Sequence, residues 1–313
     1  MKNIYKNSSY NLNKAKGFLK KNKIIAVPTE TVYGLAGNAY SDNSVKKIYN
    51  LKKRPKKNPL IIHYYDLNLL KKDAEYDKNF LKLYNKFSPG PLTYILKVKP
   101  TSKVSKFANA KLKTIAVRFP KNKVIRSLLK KINFPLAIPS ANISTGVSPT
   151  QPLDVVDEFN NKVKFILNGG KSNIGLESTV INLINKPKIL RPGAISGIEI
   201  GKLLRKKILN NVDSKKIVSP GMLKRHYSPG IPIKLNSKKA DYKAAFIVFG
   251  KKYKLSKNMF NLSSKGNLKE AAKNLYKTLR KIKKLKYKKI NIVKIPNKNI
   301  GIAINDRLKR ASN

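Results

Sequence analysis

Ile138-Pro139-Ser140-Ala141-Asn142-Ile143-Ser144-Thr145-Gly146-Val147-Ser148-Pro149-Thr150 is the stretch on which the reading of this chain turns. An apolar run, Phe134 to Ile138, enters a proline and then a segment dense in hydroxyls, with Asn142, Gly146 and Pro149 as breakers. Pro139 keeps Ile138 extended. If the path continues to Asn142, the strand period of two puts Ser140 and Asn142 on one face. Hydroxyls at this density either satisfy turn backbone or hold a polar ligand. A buried strand feeding such a loop fits an α/β sheet with a site at the strand end.

The flanks repeat that alternation. Helical periodicity covers about 11–21, 44–51, 79–87, 124–132, 153–159, 197–209, 268–282 and 302–310. Between these lie strand candidates at about 24–27, 60–64, 92–98, 114–120, 163–167, 175–183, 189–194, 244–249 and 290–295. Pro28 to Ala36 reads as a further strand running into a turn, with Thr29, Thr31 and Tyr33 sharing one face. Residues 210–232 lack periodicity and read as a linker, though His226 and Tyr227 are odd furnishings for a plain spacer. The alternation predicts an α/β sheet followed by a smaller α/β domain. The expected division is 1–209, linker 210–234 and 235–313.

Composition narrows the function. The chain has 313 residues, enough for two cores. Its 69 Lys and Arg against 15 Asp and Glu give a formal charge of +54. That excess ordinarily signals nucleic acid or an anionic membrane. Here lysine is spread along the whole chain and abundant together with asparagine, isoleucine and tyrosine, the pattern of an AT-rich coding bias. With no cysteine, thiolate metal sites and cysteine nucleophiles are excluded, and two histidines exclude a multi-histidine metal centre. There is no apolar leader at the N-terminus and no apolar run of membrane-spanning length, so a cytoplasmic location is expected.

Three cationic positions stand out from the lysine background. Pro55 holds Arg54 out of the helical region, so Lys52 and Arg54 can point the same way, a planar fork beside a compact charge. Arg118 alternates with Thr114 and Ala116 along an otherwise apolar strand. No Gly-rich nucleotide fingerprint follows either strand of the C-terminal part.

The ordered set of motifs resembles the YrdC-type threonylcarbamoyl-AMP synthases in their long form, which implies a twisted, open, mixed α/β sheet followed by a smaller Rossmann-like α/β domain at the C-terminus. The matching pieces are PTETVYGLA at 28–36, Lys52 and Arg54 with NPL at 58–60, SPGPLT at 88–93, Ser140 and Asn142, ESTV at 177–180, LRPGAI at 190–195, SPGMLKRHYSP at 219–229 and GIAINDRLKRAS at 301–312. The resemblance implies condensation of L-threonine, bicarbonate and ATP into threonylcarbamoyl-AMP, with release of pyrophosphate. It implies that Thr31, His63, Arg118 and Ser178 hold threonine. Arg54, Asn58, Thr114, Ser140, Ser148, Arg191 and Tyr227 would face ATP, and Lys52, Arg54, Ser140 and Asn142 would carry the chemistry. No protein-only metal cage is visible, so Mg²⁺ would ride mainly on phosphates. The product would pass to a tRNA threonylcarbamoyltransferase for N6-threonylcarbamoyladenosine, with at most weak tRNA contact by this chain and no membrane. A basic RNA-binding module is the main rival. A hydrogenase-maturation carbamoyltransferase is set aside because those proteins carry cysteine pairs.

Overall fold

The structure is a computed structural model that describes residues 3–160, 162–210, 219, 226–239, 241, 243–253 and 256–313. In chain order its first part comprises β1 (Ile4–Tyr5), α1 (Ser9–Lys20), β2 (Ile25–Val27), β3 (Gly34–Asn38), α2 (Asp42–Lys52), β4 (Ile61–His63), α3 (Leu67–Leu70), β5 (Ala74–Glu75), α4 (Lys78–Phe87) and β6 (Leu92–Val98). There follow β7 (Thr114–Arg118), α5 (Lys123–Lys130), β8 (Leu136–Ala137), α6 (Pro152–Phe159), β9 (Ile166–Leu167), β10 (Thr179–Asn182), β11 (Lys188–Arg191), α7 (Gly197–Leu204) and β12 (Leu209–Asn210). The remainder is β13 (Ile233–Lys234), β14 (Ala245–Val248), β15 (Met259–Asn261), α8 (Leu268–Lys284), β16 (Ile290–Ile292) and α9 (Gly301–Ser312).

The strands up to β12 form one mixed sheet in the order β1-β9-β2-β3-β8-β4-β7-β6-β10-β11-β12, with β5 beside β6. β4 and β7 run parallel, as do β6 and β10, whereas β6 and β7 run antiparallel. The second sheet, β13-β16-β14-β15, is parallel throughout. The large mixed sheet and the smaller second one answer the expected fold class. The central strands are buried on both faces, hence continuous apolar runs such as Ile25–Val27 and Ala245–Val248. Helices cover the faces through ordinary amphipathic packing: α5 buries Val124, Ile125, Leu128 and Leu129 against α1 residues Leu12, Ala15 and Leu19.

Three residues from the first part, Val32, Val147 and Leu176, and Tyr227 of the connecting chain lie in the apolar cluster of the second sheet together with Leu275, Tyr276 and Leu308. The two parts therefore share a hydrophobic contact beside the end of the 138–150 stretch.

Two local expectations are corrected. Thr29 to Tyr33 is not a strand: the Thr29 hydroxyl accepts from the N–H groups of Thr31 and Val32 (both 3.2 Å) and donates to the Val32 carbonyl (2.6 Å), folding the chain back. The strand starts later, at Gly34. α7 stops at Leu204 because Arg205 turns left-handed (φ 54°) and Lys206 N–H returns to the Gly201 carbonyl (3.1 Å). Leu209 and Asn210 then pair with β11 instead of extending the helix. Of the expected linker, residues 211–218 and 220–225 lie outside the described residues.

Candidate active site

One narrow cleft, a cavity of about 50 Å³, gathers side chains from distant parts of the chain: Thr31, Arg54, Arg118, Ser140, Glu177, Arg191, His226 and Tyr227 among them. Its walls are built locally as follows.

At the end of α2, Lys53 adopts a left-handed conformation (φ 50°) and Arg54 N–H returns to the Tyr49 carbonyl (2.9 Å). This Schellman-type stop throws Arg54 outward from the helix. Its guanidinium is fixed by the Asn58 carbonyl (2.9 Å), the Asn58 side-chain oxygen (2.7 Å) and the Pro59 carbonyl (2.7 Å). Asn58 thus acts on Arg54. Burial brings the Arg54 pKa down to about 10, which leaves it protonated at neutral pH. Lys52, the last residue of α2, points elsewhere: its buried Nζ donates to the Ser140 and Asn142 carbonyls, both at 2.5 Å. Burial and the neighbouring Arg54 hold its pKa well below the usual lysine value. The two cations therefore do not stand side by side. Arg54 lines the cleft and Lys52 pins the loop opposite.

That loop closes on itself. Ser140 donates to the Asn142 side-chain oxygen (2.6 Å), and the Asn142 amide donates to the Ile143 and Gly146 carbonyls (2.6 and 2.9 Å). Ser140 and Asn142 thus meet, but only Ser140 lines the cleft, and Asn142 braces it. The loop abuts β3 through Leu35 N–H to the Pro139 carbonyl (3.0 Å) and Ala141 N–H to the Tyr33 carbonyl (2.8 Å). Gly34 makes this approach possible, since a Cβ there would stand 2.2 Å from Ile138 Cγ2 and 2.8 Å from the Pro139 oxygen.

The floor is a row across the sheet. Register places Arg118 of β7 between His63 of β4 and Thr93 of β6. Arg118 Nη2 pairs with Glu30 Oε1 at 2.6 Å, while Glu30 Oε2 accepts from the Lys121 and Asn122 N–H groups. Burial works to raise the Glu30 pKa, but the Arg118 charge prevails and holds it below the usual carboxylate value. His63 hydrogen-bonds the Ile61 carbonyl through Nδ1 (3.2 Å), and burial, then Arg118, keep it neutral. Ser178 shares a hydrogen bond with Thr93 (2.7 Å) and accepts from Arg191 Nη2 (3.0 Å), whose Nε holds the Ser178 carbonyl (3.0 Å). Thr114 sits at the far end of β7. Continuing the Ile61–Ala116 register places it opposite Pro59, next to the Arg54 clamp and away from Arg118.

The roof comes from the chain entering the second part. Tyr227, with φ 63°, stacks on His226 (4.0 Å between centroids) and lies under Arg307, whose Cζ is 5.0 Å from the ring. Its buried hydroxyl has no hydrogen-bond partner among the described residues. Ser228 N–H reaches the Thr145 carbonyl (2.8 Å), and His226 N–H the Arg310 carbonyl (3.0 Å). Ser148 lies behind the wall and gives its hydroxyl to Glu177 (2.6 Å).

The sequence reading left out Glu30, Glu177 and His226 as site residues. Its strongest available clue was scarcity: with 15 acidic residues in 313, two within hydroxyl-rich motifs were worth singling out. Among the described residues no group of three His, Cys, Asp or Glu side chains could hold a metal, and the carboxylates of Glu177 in the cleft and Glu30 behind Arg118 are already occupied by donors.

Comparison with known proteins accounts for this assembly. Residues 17–193 match the family model Sua5/YciO/YrdC, described as "Telomere recombination", and residues 195–313 match "Threonylcarbamoyl-AMP synthase, C-terminal domain". The chain belongs to the Sua5/YciO/YrdC family. A Pyrococcus abyssi relative named threonylcarbamoyl-AMP synthase is 36% identical, over 95% of this chain and 93% of the relative. One of the same name from Bacillus subtilis is 39% identical over 70% of this chain and 64% of the relative. The crystal structure of P. abyssi Sua5 complexed with L-threonine superposes with a TM-score of 0.91 at 32% identity, covering 99% of this chain and 97% of that one. The Sua5 likeness thus spans both sheets and the chain between them.

Proposed function

We propose that the cleft is where this chain, as a threonylcarbamoyl-AMP synthase, makes L-threonylcarbamoyl-AMP from L-threonine, bicarbonate and ATP and releases pyrophosphate. The threonine amine and bicarbonate give a carbamate and water. A carbamate oxygen then attacks the α-phosphorus, and the bond to the bridging oxygen of pyrophosphate breaks. Anion attacks anion, so catalysis rests on neutralising charge and aligning the reactants. The observation that carries this reading is the convergence of Arg54, Arg118 and Arg191 on one buried cleft.

Arg118 takes the threonine carboxylate, its fork oriented by Glu30. Thr31, His63 and Ser178 complete that end, with His63 as a neutral hydrogen-bonding group. Arg54 and Arg191 take the triphosphate, with Ser140 as a hydroxyl donor beside them and Thr114 near the Arg54 end. Asn58 contributes through Arg54, Asn142 through Ser140 and Lys52 by pinning the loop. Ser148 backs the nucleotide wall, and Tyr227 covers it.

A cavity of about 50 Å³ holds a few waters, whereas ligand sites start at roughly 300 Å³. Tyr227 therefore moves aside for ATP. Its left-handed backbone, costly for an aromatic residue, and its unpartnered hydroxyl fit a docked position that is not its only one. The cleft residues do not fit a protein-held Mg²⁺, so the ion enters on the phosphates. The product passes to a tRNA threonylcarbamoyltransferase for N6-threonylcarbamoyladenosine, and any tRNA contact by this chain is weak. None of the described helices is long and apolar enough to cross a membrane, and we place the reaction in the cytoplasm.

The test is pyrophosphate release by the purified chain with and without L-threonine and bicarbonate. Release that needs both supports the reading. ATP left untouched, with tight and steeply salt-dependent RNA binding, would support the RNA-binding alternative.

A further inference from the structure

Glu177 has a place that the reaction does not require of it. Its carboxylate is buried at the cleft wall and accepts three hydrogen bonds from three parts of the fold. Ser148 of the site loop donates to Oε1 (2.6 Å), and Tyr276 of α8 and Arg307 of α9 both donate to Oε2 (2.9 Å each). The other grip of α8 on this loop is Arg280, which donates to the Val147 carbonyl and to Glu158 (3.0 Å), the residue that receives Ile143 N–H (2.9 Å). The loop's backbone is therefore held from the second domain, and Glu177 carries that hold by hydrogen bonds to a cleft-lining side chain, beside the ring contacts of Arg307 and Tyr276 with Tyr227.

An ordinary ion pair between domains would look different. Lys284 and Asp157 form one on the exposed interface, where it does nothing for the cleft. The Glu177 pair is buried, lies beside Arg191, and is surrounded by cations from both domains. Burial raises its pKa, yet Arg307 and Arg191 together carry it down to about 2, so it is fully ionised at neutral pH. A fixed negative charge between Arg191 and Arg307 sets how much of the Arg191 charge is free to meet a phosphate. Its hydrogen bond also fixes the direction of the Ser148 hydroxyl.

We propose that Glu177 is a positioning residue for the nucleotide half of the site, through which Arg307 and Tyr276 of the C-terminal domain set Ser148 and Arg191. Arg118, which takes the threonine carboxylate, is aimed instead by Glu30 and the Gly90 carbonyl, so the threonine half keeps its main support when Glu177 is altered. The effect of Glu177 is therefore directional: it acts on ATP and spares threonine.

The inference rests on the synthase reading, and the experiment separates the two. Full-length Glu177→Gln, Arg307→Gln, their double variant and Tyr276→Phe are compared with the unaltered chain. Readouts are kcat and KM for ATP in threonine-dependent pyrophosphate release, and calorimetric affinity for L-threonine without ATP. Loss of such a supporting partner typically costs about 10- to 100-fold in activity. The expected result is a loss of that size in kcat/KM for ATP in either single Gln variant, no further loss in the double, and threonine affinity within about twofold of the unaltered chain. Tyr276→Phe, which removes one hydroxyl and keeps the shape, gives a smaller loss in the same direction and serves if the Gln variants do not fold. Threonine affinity falling in parallel with ATP turnover, additive losses, or unchanged ATP kinetics in a folded variant would overturn the proposal while leaving the synthase reading intact. An unaltered chain that releases no pyrophosphate overturns both.

Discussion

At the residue scale the site is a set of arginines whose forks are aimed by neighbours. Arg54 owes its direction to Asn58 and Pro59, and Arg118 to Glu30. Arg54→Ala removes a preorganised charge aimed at the phosphates. Groups of that kind are worth about 10²- to 10³-fold in rate, so kcat for pyrophosphate release should fall by that factor with the melting temperature little changed. Glu30→Ala acts on stability. It leaves Arg118 buried without its partner and the Lys121 and Asn122 N–H groups without an acceptor, a change that costs roughly 3 to 5 kcal/mol. Urea unfolding should show it as a lower midpoint with the slope unchanged. Both residues stand in motifs legible in the sequence. The direction of Lys52 was not legible, because whether a side chain at a helix end faces a cleft or a loop carbonyl depends on what packs against it.

At the element scale the site depends on two close approaches. β3 reaches the 138–140 segment because Gly34 has no side chain, and a Cβ there meets both a side chain and a backbone oxygen. Gly34→Ala should push β3 from the loop, break the Leu35–Pro139 hydrogen bond and lower kcat/KM together with the melting temperature, unlike Arg54→Ala. The second approach is the docked linker. Tyr227 N–H donates to His226 Nδ1 (2.9 Å), so this docking needs a neutral ring. Burial lowers the His226 pKa from 6.5 to about 3, with Arg54, Lys52 and Arg191 adding to the shift and Glu177 opposing it. A folded pKa below the free value means that docking is fully stable above pH ~6.5 and loses stability as pH falls from there toward 3, by about 1.4 kcal/mol per unit. Hydrogen-exchange protection factors at 226–228, in which the intrinsic slowing of exchange toward acid is divided out, should therefore fall between pH 7 and 5, and His226→Gln should flatten that dependence.

At the scale of the whole molecule the charge matters for solution behaviour. With +54 on 313 residues, self-repulsion works against the compact state, and salt screens it over about 10 Å at 0.1 M. Raising NaCl from 50 to 500 mM, values chosen to span the screening range, should raise the melting temperature. A neutral protein of the same fold would show no such rise. The two sheets cohere through shared apolar contacts around Tyr227 and Tyr276 and through Arg307 on Glu177.

By itself the sequence determined the main helices and central strands in their order, the α/β class with a smaller second domain, and the kinship behind the function. These follow from apolar periodicity, breakers and short motifs, all local in the chain. It also marked the hydroxyl and arginine positions, through Arg118 on an otherwise apolar strand, Arg54 before a proline and the hydroxyl-rich segment after Pro139. Only the tertiary structure decided which of them meet. It folded Thr29 back instead of extending it, turned Asn142 into a brace for Ser140, and gave Glu177 partners 29, 99 and 130 residues away. Contacts at such separations leave no period in the chain. They are set by strand register and by how one domain packs on the other, and neither is written in any single segment.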